Sequence, residues 1–149
     1  MIVIGAERLD EIRRHGERDY PYECCGLLIG RLEADGREKV VSETYPISNA
    51  REEAAKRRRF LIRPEELLAG ERHARARGLD VVGFYHSHPE HPAVPSQYDL
   101  EHAWPTYSYV IVSVRAARAG DLLSWELEAD RSRFNPEEIR EAEEIREGA

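Results

Sequence analysis

The sequence predicts an α/β fold with a mixed, mostly antiparallel sheet. Two observations carry this prediction: helical segments alternate along the chain with apolar runs of strand length, and turn residues separate neighbouring runs. The 149 residues favour one domain spanning 1–149, which is long enough to bury a core around a sheet.

The N-terminal part of the chain predicts a strand, a helix and a buried strand. Ile2 to Ile4 is a short apolar run, and Glu7 to Asp19 has helical character. Pro21 then ends the helix, because proline has no amide hydrogen to donate. Cys24 to Gly30 is continuously apolar and therefore predicts a strand that is buried on both faces.

The next segment predicts a hairpin followed by a polar stretch. Asp35 and Gly36 form a turn signal, and the alternating segment Val40 to Tyr45 follows, so the strands on either side should pair antiparallel. Ser48 to Arg59 is basic and predicts a solvated loop or short helix, with contact to a protein substrate as the alternative. Phe60 to Ile62 predicts a short strand.

The second half predicts a helix and three strands. Pro64 to Arg77 has helical character, with proline near its start and Gly78 as its C-terminal cap. Leu79 to Tyr85 is an apolar run that predicts a central strand. Ser108 to Val114 is rich in β-branched residues, and Asp121 to Leu127 is its expected partner strand.

The C-terminal segment from about residue 136 predicts a charged helix. Its apolar residues Ile139, Ala142 and Ile145 recur at about helical spacing. The segment is too short for a coiled coil of three heptads. Two roles are open: a helix lying on the domain, or a self-association surface that would make the protein a homodimer.

Composition argues against a nucleic-acid-binding protein and against a membrane protein. The net charge of −7 argues against a nucleic-acid binder that works by neutralising phosphates. No apolar run approaches the roughly 20 residues needed to span a bilayer, so we expect no membrane partner and a cytoplasmic location. Cys24 and Cys25 are adjacent, which disfavours a mutual disulfide. We expect both to be small apolar strand residues, with a thiol beside a metal as the alternative.

Two histidines mark the end of the predicted central strand. His86 and His88 follow Tyr85, and Pro89 stops the strand. Side chains at i and i+2 of an extended chain point to the same side, so both imidazoles can reach one ion.

A second polar group follows at the start of a predicted helix. Ser96 is a good N-terminal cap and Asp99 stands three residues later, before the apolar residues Leu100, Ala103 and Trp104. Asp99 is therefore either a capping-box partner or a third metal ligand. With the two histidines nearby we favour the ligand, because catalytic zinc takes three protein ligands and keeps one position for water.

The other histidines are expected to have lesser roles. His91 is a weak alternative as a fourth ligand, because it would close the water position. His102 is expected behind the ligands or on the surface, and His15 on the exposed side of its helix.

These residues together resemble the JAMM (MPN-plus) metalloprotease motif. The pattern comprises Glu23-Cys24-Cys25-Gly26, His86-Ser87-His88, then Ser96 and Asp99 at the family spacing. The resemblance covers the chain from about Glu7 to Glu128. It implies a single-domain helix–sheet–helix sandwich that is cytidine-deaminase-like.

The resemblance also implies a chemistry. One Zn²⁺ per chain would be held by His86, His88 and Asp99 with a bound water, Glu23 would be the general base, and Ser96 would hydrogen-bond the oxyanion. Similar domains are peptidases or isopeptidases acting at the C-terminus of ubiquitin-like proteins. The small prokaryotic ones act on sulfur carriers of that type, which gives the expected substrate and partner.

Two alternatives belong to other classes. A catalytically silent MPN scaffold module would bind protein partners without chemistry, but such relatives usually lack the ligands that are present here. Zinc nucleoside deaminases have a broadly similar arrangement, but their signature combines H-x-E with P-C-x-x-C, and P-C-x-x-C is absent from this sequence.

Overall fold

The fold is that of a computed structural model, which describes residues 1–33, 36, 38–49 and 62–142. Within these ranges the chain forms eight strands and three helices. In chain order they are β1 Ile2–Gly5, α1 Ala6–Asp19, β2 Cys25–Leu32, β3 Lys39–Ile47, α2 Pro64–Ala76, β4 Asp80–Pro89, α3 Gln97–His102, β5 Ser108–Arg115, β6 Arg118–Leu127, β7 Phe134–Glu137 and β8 Ile139–Ala142.

All eight strands belong to one sheet, in the order β7-β6-β5-β4-β2-β3-β1-β8. Four of the seven neighbouring pairs are antiparallel, namely β7 with β6, β6 with β5, β4 with β2 and β2 with β3. The other three pairs are parallel. The predicted mixed, mostly antiparallel sheet is confirmed, as are the hairpin of β2 with β3 and the pairing of β5 with β6.

The helices cover both faces of the sheet. On one face α1 places Leu9 and Ile12 in an apolar cluster with β1, β4 and β5. On the other face α2 contributes Ala74 to a second cluster. Gly70 lets α2 approach the sheet, because a β-carbon there would lie 2.2 Å from Leu27 Cδ1. The helix–sheet–helix sandwich is therefore confirmed.

His15 was expected at the surface, and this prediction is wrong. His15 is only 6% exposed, because it lies one turn after Ile12 on the face of α1 that packs on the sheet. The buried ring keeps two polar partners: Nδ1 is 2.7 Å from the Tyr85 hydroxyl, and Nε2 is 3.3 Å from Asp19 Oδ2. Gly26 makes room for Tyr85, since a β-carbon there would lie 2.3 Å from its ring.

The predicted C-terminal helix is wrong as far as the structure describes it. Residues 134–142 form β7 and β8, which pair with β6 and β1 respectively. Ile139 packs against the core on the α1 face. The segment therefore satisfies the backbone groups of two strands that would otherwise have open edges, and a self-association helix has no basis in residues 136–142.

Some predictions concern residues outside the described ranges. They are the turn at Asp35, the basic stretch from residue 50 onward, and Phe60 with Leu61. Ile62 is described and is not in a strand. Among the described helices, none has the length and apolar character that a membrane crossing requires.

Candidate metal centre

The end of β4 carries the two histidines into the interior. His86 and His88 are 1% and 6% exposed and alternate with Ser87, so both imidazoles lie on the same side of the strand. Pro89 is the last residue of β4, as predicted. Parallel pairing with β5 places His86 beside Ile111 and His88 beside Ser113, which fixes the strand from the other side.

Asp99 reaches the histidines from the first turn of α3. Ser96 caps this helix: its Oγ accepts the Asp99 amide at 3.1 Å, and the Ser96 amide donates to Asp99 Oδ2 at 2.8 Å. The same Oδ2 lies 3.3 Å from His86 Nε2 and 3.2 Å from His88 Nε2. The capping box and the ligand position are therefore compatible, because the cap aims the carboxylate at the histidines.

Three donor atoms converge on one point. The Nε2 atoms of His86 and His88 are 3.1 Å apart, and each is within 3.3 Å of Asp99 Oδ2. Ligands of a tetrahedral zinc ion, with bonds of about 2.0–2.1 Å, are about 3.3–3.4 Å apart. The separations fit a small tetrahedral cation.

The position of the ring hydrogen of His88 also supports a cation between His88 and Asp99. His88 Nδ1 lies 2.9 Å from the carbonyl oxygen of Pro92, which can only accept, so Nδ1 carries the hydrogen. In the neutral ring Nε2 then has only a lone pair, and this lone pair faces the carboxylate oxygen of Asp99. Two acceptors at 3.2 Å repel each other unless a cation or proton lies between them. The residues present fit a divalent metal.

Burial and charge adjust the ligands in the direction that metal binding needs. Burial lowers the pKa of His86 and so favours its neutral form, which is the form that ligates. Burial alone would raise the pKa of Asp99, but the neighbouring His86 and the hydrogen bond from the Ser96 amide lower it well below its ordinary range. Asp99 is therefore a carboxylate.

Glu23 lies beside this group because of the register between β2 and β4. Cys25 is opposite His86, so the residues before Cys25 run along the end of β4 toward His88. The Ser87 amide donates to the Cys24 carbonyl at 3.2 Å, and the Cys24 amide donates to Ser87 Oγ at 2.8 Å. Glu23 is 3% exposed. One oxygen of its carboxylate and one ring nitrogen from each of His86 and His88 all lie within 4.8 Å of one another.

A cavity of about 640 Å³ opens beside Glu23 and His88. Ser96 also lines it, together with Pro92 and Tyr98. In the helix cap Ser96 Oγ uses a lone pair, so the cap leaves the hydroxyl hydrogen available for another acceptor. Glu23, His88 and Ser96 therefore line one open cavity.

The remaining candidates are spread around the centre. His91 is exposed and lines the same cavity, while its carbonyl accepts from Ser113 Oγ at 2.6 Å. His102 is exposed at the end of α3, stacked on Tyr98. Cys24 and Cys25 are buried and reduced, as expected, but only Cys25 is a strand residue, because β2 begins there. Burial raises the pKa of Cys24 to about 12, so its thiol stays protonated.

Two residues that hold Glu23 in place were not predicted from the sequence. Ser87 binds the backbone next to Glu23, and Asn49 Nδ2 donates to the Glu23 carbonyl at 3.1 Å. The signal for Ser87 was available, because period-two alternation sends it to the face opposite the histidines. Asn49 gave no signal, because its proximity depends on the pairing of β2 with β3.

A family model described as prokaryotic homologs of the JAB domain matches residues 5–128. The chain belongs to this family. The resemblance derived from the five motif residues is thereby confirmed at the level of the family.

Curated relatives of this JAB chain include named enzymes. It is 38% identical over 117 residues to the desampylase of Haloferax volcanii, covering 75% of this chain and 80% of that protein. It is 34% identical over 111 residues to the "Probable TtuB-protein conjugate cleaving protease" of Thermus thermophilus, with 74% and 69% covered. It is 32% identical over 128 residues to the CysO-cysteine peptidase of Mycobacterium tuberculosis, with 85% and 83% covered.

Solved structures agree with the JAB fold. A protein from Desulfitobacterium hafniense matches with a TM-score of 0.84 and 31% identity, covering 99% of this chain and 97% of that one. A JAB1/MPN domain protein from Archaeoglobus fulgidus matches with a TM-score of 0.55, and 95% of each chain is covered. At 20% identity this second likeness shows the fold alone.

Proposed function

We propose that the protein is a zinc-dependent peptidase or isopeptidase that hydrolyses an amide bond at the C-terminus of a ubiquitin-like protein of the sulfur-carrier type. One observation carries the proposal: His86 Nε2, His88 Nε2 and Asp99 Oδ2 lie within 3.3 Å of one another beside an open cavity. The metal ligands of the proposal are these three residues.

The donor set favours zinc, which accepts imidazole nitrogen and carboxylate oxygen in tetrahedral sites. Bound there, zinc would supply a Lewis acid that polarises a carbonyl and lowers the pKa of a coordinated water to about 7. His88 would be held in its ligating orientation by the bond from Nδ1 to Pro92, and Asp99 by the Ser96 amide.

Two residues of the chain would move or bind the reacting groups. Glu23 would accept a proton from the attacking water on its carboxylate and return it to the leaving amine. Such positioned proton transfer is typically worth about 10²- to 10⁴-fold in rate. Ser96 would donate its hydroxyl hydrogen to the oxygen of the attacked carbonyl as negative charge develops there. Both residues line the same cavity, which supports their acting on one substrate.

The relatives supply the substrate class of the proposal. Their printed names describe a desampylase, a protease cleaving TtuB-protein conjugates and a CysO-cysteine peptidase. Each is at least 32% identical to this chain, and each is covered over more than two thirds of its length. We therefore favour a carrier protein whose C-terminal tail is joined to a further residue or protein.

Mass spectrometry tests this proposal. A ubiquitin-like sulfur carrier with a short C-terminal extension is incubated with zinc-loaded protein and, in parallel, with Glu23→Gln. We expect cleavage after the terminal glycine of the carrier by the wild type alone. Cleavage by neither protein, although zinc is bound, would contradict this substrate. If zinc is not bound either, a scaffold that binds partners becomes the better account.

A further inference from the structure

Glu90 connects the segment that follows His88 to the segment that precedes Glu23. It follows Pro89 and stands two residues after His88. Its Oε1 accepts a hydrogen bond from the Tyr20 hydroxyl at 2.5 Å and another from the Ala116 amide at 2.7 Å. Tyr20 follows α1 and precedes Glu23 by three residues. One carboxylate oxygen thus connects the segment before Glu23 to the segment after His88.

The backbone holds the Glu90 side chain in a fixed place. Its φ is 61°, a left-handed conformation that residues other than glycine rarely adopt. Its amide donates to the Val114 carbonyl at 2.8 Å, so β5 fixes the turn. Such conformations persist where the surrounding structure determines them. Glu90 is therefore a rigid anchor for Tyr20, although the residue is exposed.

The two flanks of Glu23 are held by different contacts. On its C-terminal side the Cys24 amide is bound to Ser87 Oγ. On its N-terminal side, residues 21 and 22 separate it from Tyr20, whose hydroxyl is bound to Glu90. Releasing the Tyr20 hydroxyl would remove one of the contacts that hold the segment before Glu23, while Tyr20 would keep its packing against the core and Asn49 its bond to the Glu23 carbonyl. Without the contact to Glu90 we expect the direction of the Glu23 side chain to vary more.

We propose that Glu90 is a positioning residue, which acts through Tyr20 to hold the carboxylate of Glu23 at a set distance from His88. This inference rests on the proposed function, in which Glu23 moves the proton. A base must be within hydrogen-bond reach of the proton that it takes. A misplacement of about 1 Å can cost about 100-fold in rate.

The first test compares variants in the cleavage assay. Glu90→Ala should lower kcat at least about tenfold, while KM and zinc content stay within about twofold. Tyr20→Phe should have a similar effect, and the two changes together should cost little more than either alone. Glu90→Gln should restore most of the rate, because its amide oxygen can accept both hydrogen bonds.

Glu17→Ala is the matched control. Glu17 Oε2 accepts the Ala119 amide at 2.9 Å, so it too is a carboxylate that binds a backbone amide, here at the start of β6. Among the described residues, the hydrogen bond of Glu17 goes to Ala119 and not to a residue of the metal centre. Glu17→Ala should keep kcat. An equal loss of kcat in Glu17→Ala and Glu90→Ala would overturn the inference, because general loosening would then explain both.

Hydrogen exchange gives a readout that does not need substrate. The Cys24 amide is observed by NMR in wild type, Glu90→Ala and Glu17→Ala. We expect exchange at least about fivefold faster in Glu90→Ala alone, since local opening would no longer be opposed by the Tyr20 contact. Unchanged exchange in Glu90→Ala would overturn the inference. A wild type without peptidase activity would defeat the proposed function instead, and the exchange result would still decide the role of Glu90.

Discussion

Two clusters of charged side chains lie at different places in the same sheet. The candidate metal centre, called the metal centre below and formed by Glu23, His86, His88 and Asp99, lies at the C-terminal end of β4. The second, which we name the closing cluster, joins strands from both halves of the sheet and is formed by Lys39, Ser108, Ser124, Glu126 and Glu137.

The carboxylates of the closing cluster are neutralised by positively charged groups of the protein itself, Lys39 and the Met1 amine. Lys39 Nζ donates to Ser108 Oγ at 2.8 Å and lies 3.9 Å from carboxylate oxygens of both Glu126 and Glu137. The Met1 amine is 3.5 Å from Glu137, and Ser124 Oγ donates to Glu137 at 2.8 Å. A hydrogen bond between the two glutamates raises the pKa of Glu126 to about 7. Charge is therefore balanced within the protein.

The metal centre is arranged differently. Its three converging atoms are two imidazole nitrogens and a carboxylate oxygen, a set that a divalent cation completes. It also opens on a cavity of about 640 Å³. Buried charge alone therefore does not mark a functional site. What marks it is donor atoms aimed at one point that a ligand can reach.

The largest expected effect concerns a metal ligand. Asp99→Asn keeps an oxygen that can accept the Ser96 amide, so the cap of α3 should survive, but it removes the anionic ligand. We expect peptidase turnover to fall at least about 10³-fold, since Lewis-acid stabilisation is worth several kcal/mol. Steady-state kinetics measure it. Near-normal turnover in Asp99→Asn would mean that the centre does not need its carboxylate.

The next effect concerns the closing cluster and should appear in stability instead of rate. Lys39→Met removes the buried cation and leaves Glu137, whose side chain is only 2% exposed, beside Glu126 with the Met1 amine as its remaining cation. Breaking a buried ion pair on one side costs about 3–5 kcal/mol. Urea unfolding should show this loss, while turnover per folded molecule stays the same. A large loss of turnover with unchanged stability would reverse the assignment of the two clusters.

Ser96→Ala separates the two proposed roles of Ser96, the helix cap and the hydrogen-bond donor to the substrate. Loss of the cap should lower the free energy of unfolding by about 1 kcal/mol. Loss of the hydroxyl donor should lower kcat about 10²- to 10³-fold. Zinc content should stay the same, because Ser96 holds Asp99 by its amide, which alanine retains. If kcat is unchanged, Ser96 only caps α3.

The smallest expected effect is on the pH dependence of stability. The pKa of Glu126, about 7 in the folded protein, is above its ordinary value of 4.5. Its stabilising contribution is therefore complete below pH 4.5 and is lost as the pH rises through about 7. Glu126→Gln resembles the protonated carboxyl and should flatten the decline of the melting temperature between about pH 5 and pH 8.

Glu137 does not interfere in that range. Burial alone would raise the pKa of Glu137, but its hydrogen bonds to Glu126 and Ser108 and the charge of Lys39 lower it. The contribution of Glu137 is thus lost only as the pH falls below the ordinary value of 4.5. Equal slopes for wild type and Glu126→Gln would show that the two glutamates do not share a proton.

The parts of the molecule that could be predicted from sequence are those with local signals. The cap at Ser96, the prolines at 21 and 64 and the apolar run before His86 each depend on near neighbours, and the structure agrees with each. The three proposed ligands could also be predicted from local signals. Alternation of side chains in β4 directs both histidines to one side, and the first turn of α3 directs Asp99 toward them.

The parts that could not be predicted depend on distant pairing. β7 and β8 are strands because β6 and β1 offer them backbone partners, and this outweighs the helical spacing of Ile139 and Ala142. The hydrogen bond of Tyr20 to Glu90 joins residues 70 positions apart. The closing cluster likewise exists only once β3 and β5 to β7 come together.

Zinc titration of the metal-stripped protein decides whether His86, His88 and Asp99 bind zinc. We expect one zinc per chain in the wild type, in Glu23→Gln and in Lys39→Met, with a rise in melting temperature on binding. We expect little or no binding in His88→Ala. A wild type that takes up no zinc, or a His88→Ala variant that binds zinc as tightly as the wild type, would show that these residues do not form a zinc site.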